Sequence, residues 1–204
     1  MSAEAGAGPV LVVSAHAGDF VWRAGGAMAL ASSRGAPVTV LCLSFGERGE
    51  SARAWRDGMQ LAEIKALRRG EAERAAGVLG ATLEFLDAGD YPLRESAELV
   101  DEIVRCYRRV EPAVVLTHAL ADPYNPDHPA AARMALQARV LAQAIGYDAP
   151  GDPLGAPREE ASAIAPPAHH TKSPAWALTT RTGPTPAAVL IMCSRPPAPS
   201  RRSA

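Results

Sequence analysis

The chain has 204 residues, enough for one domain with or without an appended segment, and enough to bury a core without disulfides. Lys and Arg number 21 against 22 Asp and Glu, a net charge of −1, so the basic footprint of a nucleic-acid-binding protein is absent. No run approaches the roughly 18 apolar residues of a membrane span, and the first residues lack the basic and apolar regions of a secretory signal, so a cytoplasmic chain without nucleic-acid or membrane partners is expected.

Val10 to Ser14 is a short β-branched run that suits a buried strand. The loop Ala15 to Phe20 follows, and an Ala-rich helix is expected from Val21 to about Arg34, stopped by Gly35 and Pro37. Val38 to Ser44 reads as a second strand, with a polar loop from Gly46 to Glu50 behind it. Residues 60–79 are rich in Ala, Leu, Glu and Arg and read as a helix, with Gly80 standing where a terminating glycine belongs. Thr82 to Leu86 is the third expected strand, residues 96–110 a further helix, and Val114 to Thr117 the fourth strand. A Pro-rich loop then holds Asp122 to Pro129, and residues 130–146 read as a last helix. Strands thus alternate with helices four times, which implies parallel strands with right-handed crossovers: an α/β, Rossmann-like three-layer sandwich with a mainly parallel sheet.

Beyond Pro157 the composition changes. Between Arg158 and Ala204 there are eight prolines, one aromatic residue (Trp176) and two acidic ones (Glu159 and Glu160). Such a segment does not easily build a core. It reads either as a disordered tail or as the product of a shifted frame in a GC-rich gene. The expected division is an α/β domain over 1–157 and an atypical Pro/Ala/Arg-rich tail over 158–204. Within that tail, Ala187 to Cys193 is an isolated apolar stretch. The three cysteines (Cys42, Cys106 and Cys193) form no CxxC pair, and Cys42 and Cys106 fall in apolar elements as core thiols.

In a parallel sheet, sites form beyond the carboxyl ends of the strands. The loops there hold His16 and Asp19, Glu47 and Glu50, and Asp127 and His128. His16 and Asp19 on one tight loop can face one ion, and zinc accepts such nitrogen and oxygen ligands at about 2.0–2.2 Å. Catalytic zinc usually has three protein ligands, and His128 is the natural third. The alternative makes His16 and Asp19 caps of the following helix. Asp127 is either an N-cap or the partner that orients a histidine ligand. Glu47 and Glu50 are alternative proton acceptors beside an activated water, and Glu47 ranks first because it lies nearer the strand end. Arg48 and Arg23, with Arg53 next, offer guanidinium forks for carboxylates. Tyr124 and Asn125 are candidate hydrogen-bonding residues, and His118 ends the fourth strand.

Ala15-His16-Ala17-Gly18-Asp19 resembles the zinc motif of the PIG-L/LmbE-type deacetylase superfamily, whose usual form is Ala-His-Pro-Asp-Asp. Asn125-Pro126-Asp127-His128 resembles its His-x-Asp-His motif. The resemblance implies a Rossmann-like fold with zinc held by His16, Asp19 and His128. Two positions depart from it: Gly18 stands where the deacetylases carry a basic carboxylate, and Asn125 where they carry a histidine. Longer strings, Ser14 to Ala27, Cys42 to Ser51, Gly89 to Pro92 and Asp122 to His128, are similar to the hydratase branch, the 4-oxalomesaconate hydratases of gallate and protocatechuate degradation. That branch implies water addition to the double bond of a small oxo-tricarboxylate, giving 4-carboxy-4-hydroxy-2-oxoadipate. An N-deacetylase or an inactive remnant are the alternative expectations, and a homo-oligomer is left open. The similarity runs from about residue 10 to residue 157.

Overall fold

The computed structural model describes residues 8–155 and 189–192. The strand β1 (Val10–Ser14) is buried along its whole length. Its side chains alternate between the two faces of the sheet, as strand geometry dictates: Leu11 and Val13 enter one apolar cluster, Val10 and Val12 the other. A strand covered on both sides needs apolar residues at every position, which is why the run Val10 to Val13 shows no polar alternation.

From β1 the chain passes through a π-helical turn, Phe20–Ala24, directly into α1 (Gly25–Ser33). It returns as β2 (Val38–Cys42). A short helix not anticipated from the sequence, α2 (Ala52–Arg56), precedes the long α3 (Leu61–Leu79). The Glu63 carboxylate accepts the Gln60 N–H at its start, and Gly80 ends it in the left-handed conformation at φ +65. Then come β3 (Ala81–Phe85), α4 (Ala97–Val110), β4 (Val114–Thr117) and α5 (Asp127–Gln143).

The sheet order is β3-β2-β1-β4-β5, and the first four strands are parallel. One face carries α4 and α5, with Ile103, Tyr107 and Met134 in its core. The other carries α1 and α3, with Met28, Ala72 and Ala76. The architecture is the three-layer α/β sandwich. Cys42 and Cys106 are buried free thiols within it, whereas Cys193 lies outside the described residues.

Two boundaries differ from the sequence reading. The last helix starts at Asp127, three residues earlier than expected, with Pro126 at its N-cap position and Asn125 Oδ1 accepting the N–H of the first helical residue, Asp127, at 3.0 Å. The apolar stretch near Ala187 does not stand alone. Val189–Met192 forms β5, antiparallel to β4, with Val189 opposite Thr117 and Met192 opposite Val114. The rest of the expected tail lies outside the described residues.

The end of α5 is held by Arg108, which is 5% exposed. Its guanidinium donates to the carbonyl oxygens of Ala142, Ala144, Tyr147, Ala149 and Gly151. Its bonds thus tie the last turn of α5 and its cap to the loop that follows.

Candidate metal centre

The chain leaves β1 toward β2 on one side, while β4 lies on its other side. The crevice between β1 and β4 is therefore the switch point of the sheet, where open α/β sheets form their sites. Both flanking loops deliver polar side chains into it.

From the β1 loop, His16 is fully buried and Asp19 is 5% exposed. Asp19 occupies the cap position of the π-helical turn, yet its side chain makes no cap hydrogen bond. Its Oδ2 turns back instead to the His16 backbone N–H at 3.0 Å and lies 2.9 Å from His16 Nδ1. From the β4 side, Asp127 Oδ2 lies 3.0 Å from His16 Nε2. Asp127 is itself fixed by the Tyr91 and Leu93 N–H groups, each at 2.9 Å. His16 thus has a carboxylate at each ring nitrogen. Burial works against its charge, but the hydrogen bonds to Asp127 and Asp19 outweigh burial and raise its pKa to about 10. Asp19 is held far below the carboxylate range: burial pushes it up, and the neighbouring His128 and His16 imidazoles more than reverse that.

His128 sits in the first turn of α5 and is 3% exposed. Its Nδ1 is 2.7 Å from Asp122 Oδ2. With that nitrogen donating its proton to Asp122, Nε2 presents a lone pair. Nε2 is buried without a hydrogen-bond partner and faces Asp19 Oδ1 at 3.3 Å. Two acceptors facing one another in a buried site call for a cation between them. One ligand atom each from His16, Asp19 and His128 lies within 4.8 Å of the others. This is a possible metal site, and the donor set of two imidazoles and a carboxylate is one that divalent zinc accepts. Asp127 and Asp122 bond the outer nitrogens, the arrangement that fixes the tautomer and ring direction of histidine ligands.

His118 completes the wall. Its ring stacks on His128 at 4.2 Å between centroids, and its Nε2 accepts the Ala15 N–H at 2.9 Å. Burial lowers its pKa to about 3, so this ring stays neutral.

The two glutamates behave differently from their sequence ranking. Glu47 is 1% exposed, but its Oε2 accepts the Phe45 N–H at 3.2 Å and its Oε1 lies 3.8 Å from Lys65 Nζ. It is tied to the backbone of its own turn. Glu50 Oε1 lies 4.0 Å from His16 Nδ1, and its Oε2 accepts from Arg68 at 2.6 Å. Burial, and then the charge of Asp19, raise the Glu50 pKa. Proximity to the strand end, the basis for placing Glu47 first, carries no information about these side-chain directions.

Among the expected substrate contacts, Arg23 Nε lies 3.5 Å from Asp19 Oδ1 and Nη2 lies 3.4 Å from His128 Nδ1. It also lines a cavity of about 220 Å³ with Asp19, Phe20, Ala24, Leu116 and His118. The side chains of Arg48 and Tyr124 are exposed, Asn125 is engaged in capping α5, and Arg53 is a surface residue paired with Asp57. Residues outside the expected set also build the site. Asp90 is fully buried and accepts the Arg48 and Gly49 N–H groups, joining the β3 loop to the β2 loop. Asp122 orients His128, and Arg68 holds Glu50. A buried Asp in a Gly-Asp-Tyr-Pro string was a readable hint; an Arg in mid-helix was not.

A buried cluster that could hold a metal ion, at the switch point of a Rossmann-like sheet, defines the class. The PIG-L model, described as GlcNAc-PI de-N-acetylase, matches residues 11–139, and the chain belongs to that family. Among individual proteins, it is 56% identical over 149 residues to the 4-oxalmesaconate hydratase of Pseudomonas putida KT2440, covering 72% of this chain and 57% of that protein. The crystal structure of GalB, the 4-carboxy-2-hydroxymuconate hydratase from Pseudomonas putida KT2440, matches with a TM-score of 0.69 and 52% identity, over 74% of this chain and 63% of that one. A 1D-myo-inositol 2-acetamido-2-deoxy-alpha-D-glucopyranoside deacetylase of Rhodococcus erythropolis is 31% identical over 73% of this chain and 58% of that protein. The chain thus spans less than two thirds of the length of these relatives.

Proposed function

We propose that the chain is a zinc-dependent hydro-lyase that adds water to 4-oxalomesaconate, a small oxo-tricarboxylate, to give 4-carboxy-4-hydroxy-2-oxoadipate. The observation that carries this reading is the Glu50 carboxylate beside the His16, Asp19 and His128 cluster, in a stretch that is 56% identical to a hydratase. Position 18 carries no side chain. The deacetylase-type relatives support the alternative of amide hydrolysis, but Gly18 and Asn125 stand where the resembled deacetylases carry catalytic groups.

A zinc ion held by His16 Nδ1, the Asp19 carboxylate and His128 Nε2 would act as a Lewis acid toward water or toward the oxo-acid of the substrate. Glu50, with its raised pKa, takes the proton of the attacking water. The oxygen bonds to the alkene carbon that bears the oxo-acid arm, the electron pair moves onto the neighbouring alkene carbon and into the carboxylate conjugated with it, and that carbon then takes a proton. Arg23, at the rim of the cavity, is the favoured anchor for a substrate carboxylate, and Arg48 the next. The apolar lining by Phe20, Ala24 and Leu116 excludes water from one side.

Hydration removes the conjugated double bond, so the loss of ultraviolet absorbance of 4-oxalomesaconate reads the reaction directly. The zinc-loaded chain should show that loss, and His128→Ala should abolish it. A folded, zinc-loaded chain that leaves the absorbance unchanged, or that instead releases acetate from an N-acetylated sugar, would overturn the proposal.

A further inference from the structure

Glu50 is a long, flexible side chain on a loop, and its carboxylate is 27% exposed. Left alone it would sample several rotamers. Three features from three separate elements prevent this. A Cβ on Gly18, in the β1 loop, would stand 2.9 Å from Glu50 Oε2 and 3.2 Å from Arg68 Nη2. A Cβ on Gly46, in the β2 loop, would stand 2.7 Å from the same oxygen. Real Cβ atoms do not make such contacts, so both glycines leave the space that the carboxylate fills. Arg68, projecting from α3, closes the third side. Its Nη2 donates to Glu50 Oε2 at 2.6 Å, while Nε donates to the Phe45 carbonyl at 3.3 Å and Nη1 to Glu71 at 2.7 Å. The guanidinium is thus anchored at two points independent of Glu50. It engages one carboxylate oxygen and leaves Oε1 on the side of His16.

We infer that Gly18, Gly46 and Arg68 form a built slot that fixes the Glu50 carboxylate beside the metal-ligand cluster, with Arg68 as its positioning residue. A side chain at position 18 would push the end of Glu50 out of this place. Holding a proton acceptor in one place removes the entropy of finding it from the reaction barrier. The catalytic part of this inference rests on the reading of Glu50 as proton acceptor; the slot itself does not.

The test uses the full 204-residue chain and two readouts. In thermal unfolding, Gly18→Ala should lower the Tm by about 4 °C in the unmodified chain, and by much less in a Glu50→Ala background. Any general effect of alanine on the backbone at position 18 is common to both backgrounds and cancels in the comparison. Position 46 is not useful for this purpose, since its φ of +70 penalises any side chain. An equal shift in both backgrounds would overturn the slot. In the hydration assay, Arg68→Ala should lower kcat by about 10- to 100-fold with little change in KM, and Arg68→Lys should recover part of it. Arg68→Ala should add no further loss to Glu50→Gln. Independent, multiplicative losses would overturn the positioning role. So would a raised KM at unchanged kcat, which marks a substrate anchor. If the unmodified chain hydrates nothing while the Tm shifts depend on Glu50, the slot stands and the hydratase reading alone falls.

Discussion

Two buried polar regions in this molecule are built on opposite plans. At the end of α5, the Arg108 guanidinium spends its donors on five carbonyl oxygens, and every partner is supplied by the fold. At the switch point of the sheet, His128 Nε2 and Asp19 Oδ1 face each other as acceptors, and His128 Nε2 has no hydrogen-bond partner. The first network is complete and serves only to hold a helix end and its following loop. The second leaves His128 Nε2 unpaired within a cluster that could hold a metal ion. Burial of polar groups does not distinguish structure from function here; the balance of donors and acceptors does.

The comparison breaks most visibly at His128. His128→Ala removes the unpaired nitrogen, and zinc affinity measured by competition with a chromophoric chelator should fall by more than the roughly 100-fold that loss of an outer partner costs. Next in size is Arg108→Ala. It removes the side-chain donor shared by five carbonyls, leaving those of Ala149 and Gly151 without it, and should cost about 3 kcal/mol in urea unfolding, while zinc affinity in the folded chain stays unchanged. A loss of zinc affinity there would mean that the two regions are coupled. Asp122→Asn weakens the partner of His128 Nδ1 without touching the proposed ligands, and zinc affinity should fall by about 10- to 100-fold.

The pH dependence of the metal-free chain tests the second region by itself. His16 has a folded pKa of about 10 against an ordinary 6.5. Its contribution is fully present below 6.5 and is lost as the pH rises through about 10. His118 has a folded pKa of about 3, so the unfolded chain binds its proton more readily, and stability is lost as the pH falls from 6.5 toward 3. Asp19, lowered from 3.8, adds a loss on the acid side. These groups therefore give a maximum near pH 6.5, measurable as Tm against pH. Saturating zinc should flatten the alkaline limb, because a ligating His16 nitrogen carries no proton.

The fold was largely legible because β1, β2 and β4 are uninterrupted apolar runs and α3 and α4 end at recognisable signals, Gly80 and the residues before Pro112. The short α2 and the true start of α5 were not. The latter depends on Asn125 reaching the Asp127 N–H, a side-chain bond that no periodicity reports. At the site, loop position together with the resembled motifs brought forward His16, Asp19 and His128, since the loops after β1 and β4 meet at the switch point. It could not separate Glu47 from Glu50, whose side chains leave one turn in different directions. Nor could it mark Arg68, which in sequence resembles any exposed helical arginine and acquires its role only when α3 packs beside the β1 and β2 loops. Asn125, expected as a substrate contact, accepts the Asp127 N–H in this structure.

The most direct test of the incomplete network is calorimetric titration of zinc into the metal-free chain near pH 8, repeated in buffers of different ionisation enthalpy. One zinc per chain should bind, with about one proton released as His16 gives up its charge, and binding should disappear in His128→Ala. Absence of binding by the folded chain, or binding that survives His128→Ala without proton release, would contradict the assignment of His16, Asp19 and His128 as a metal centre.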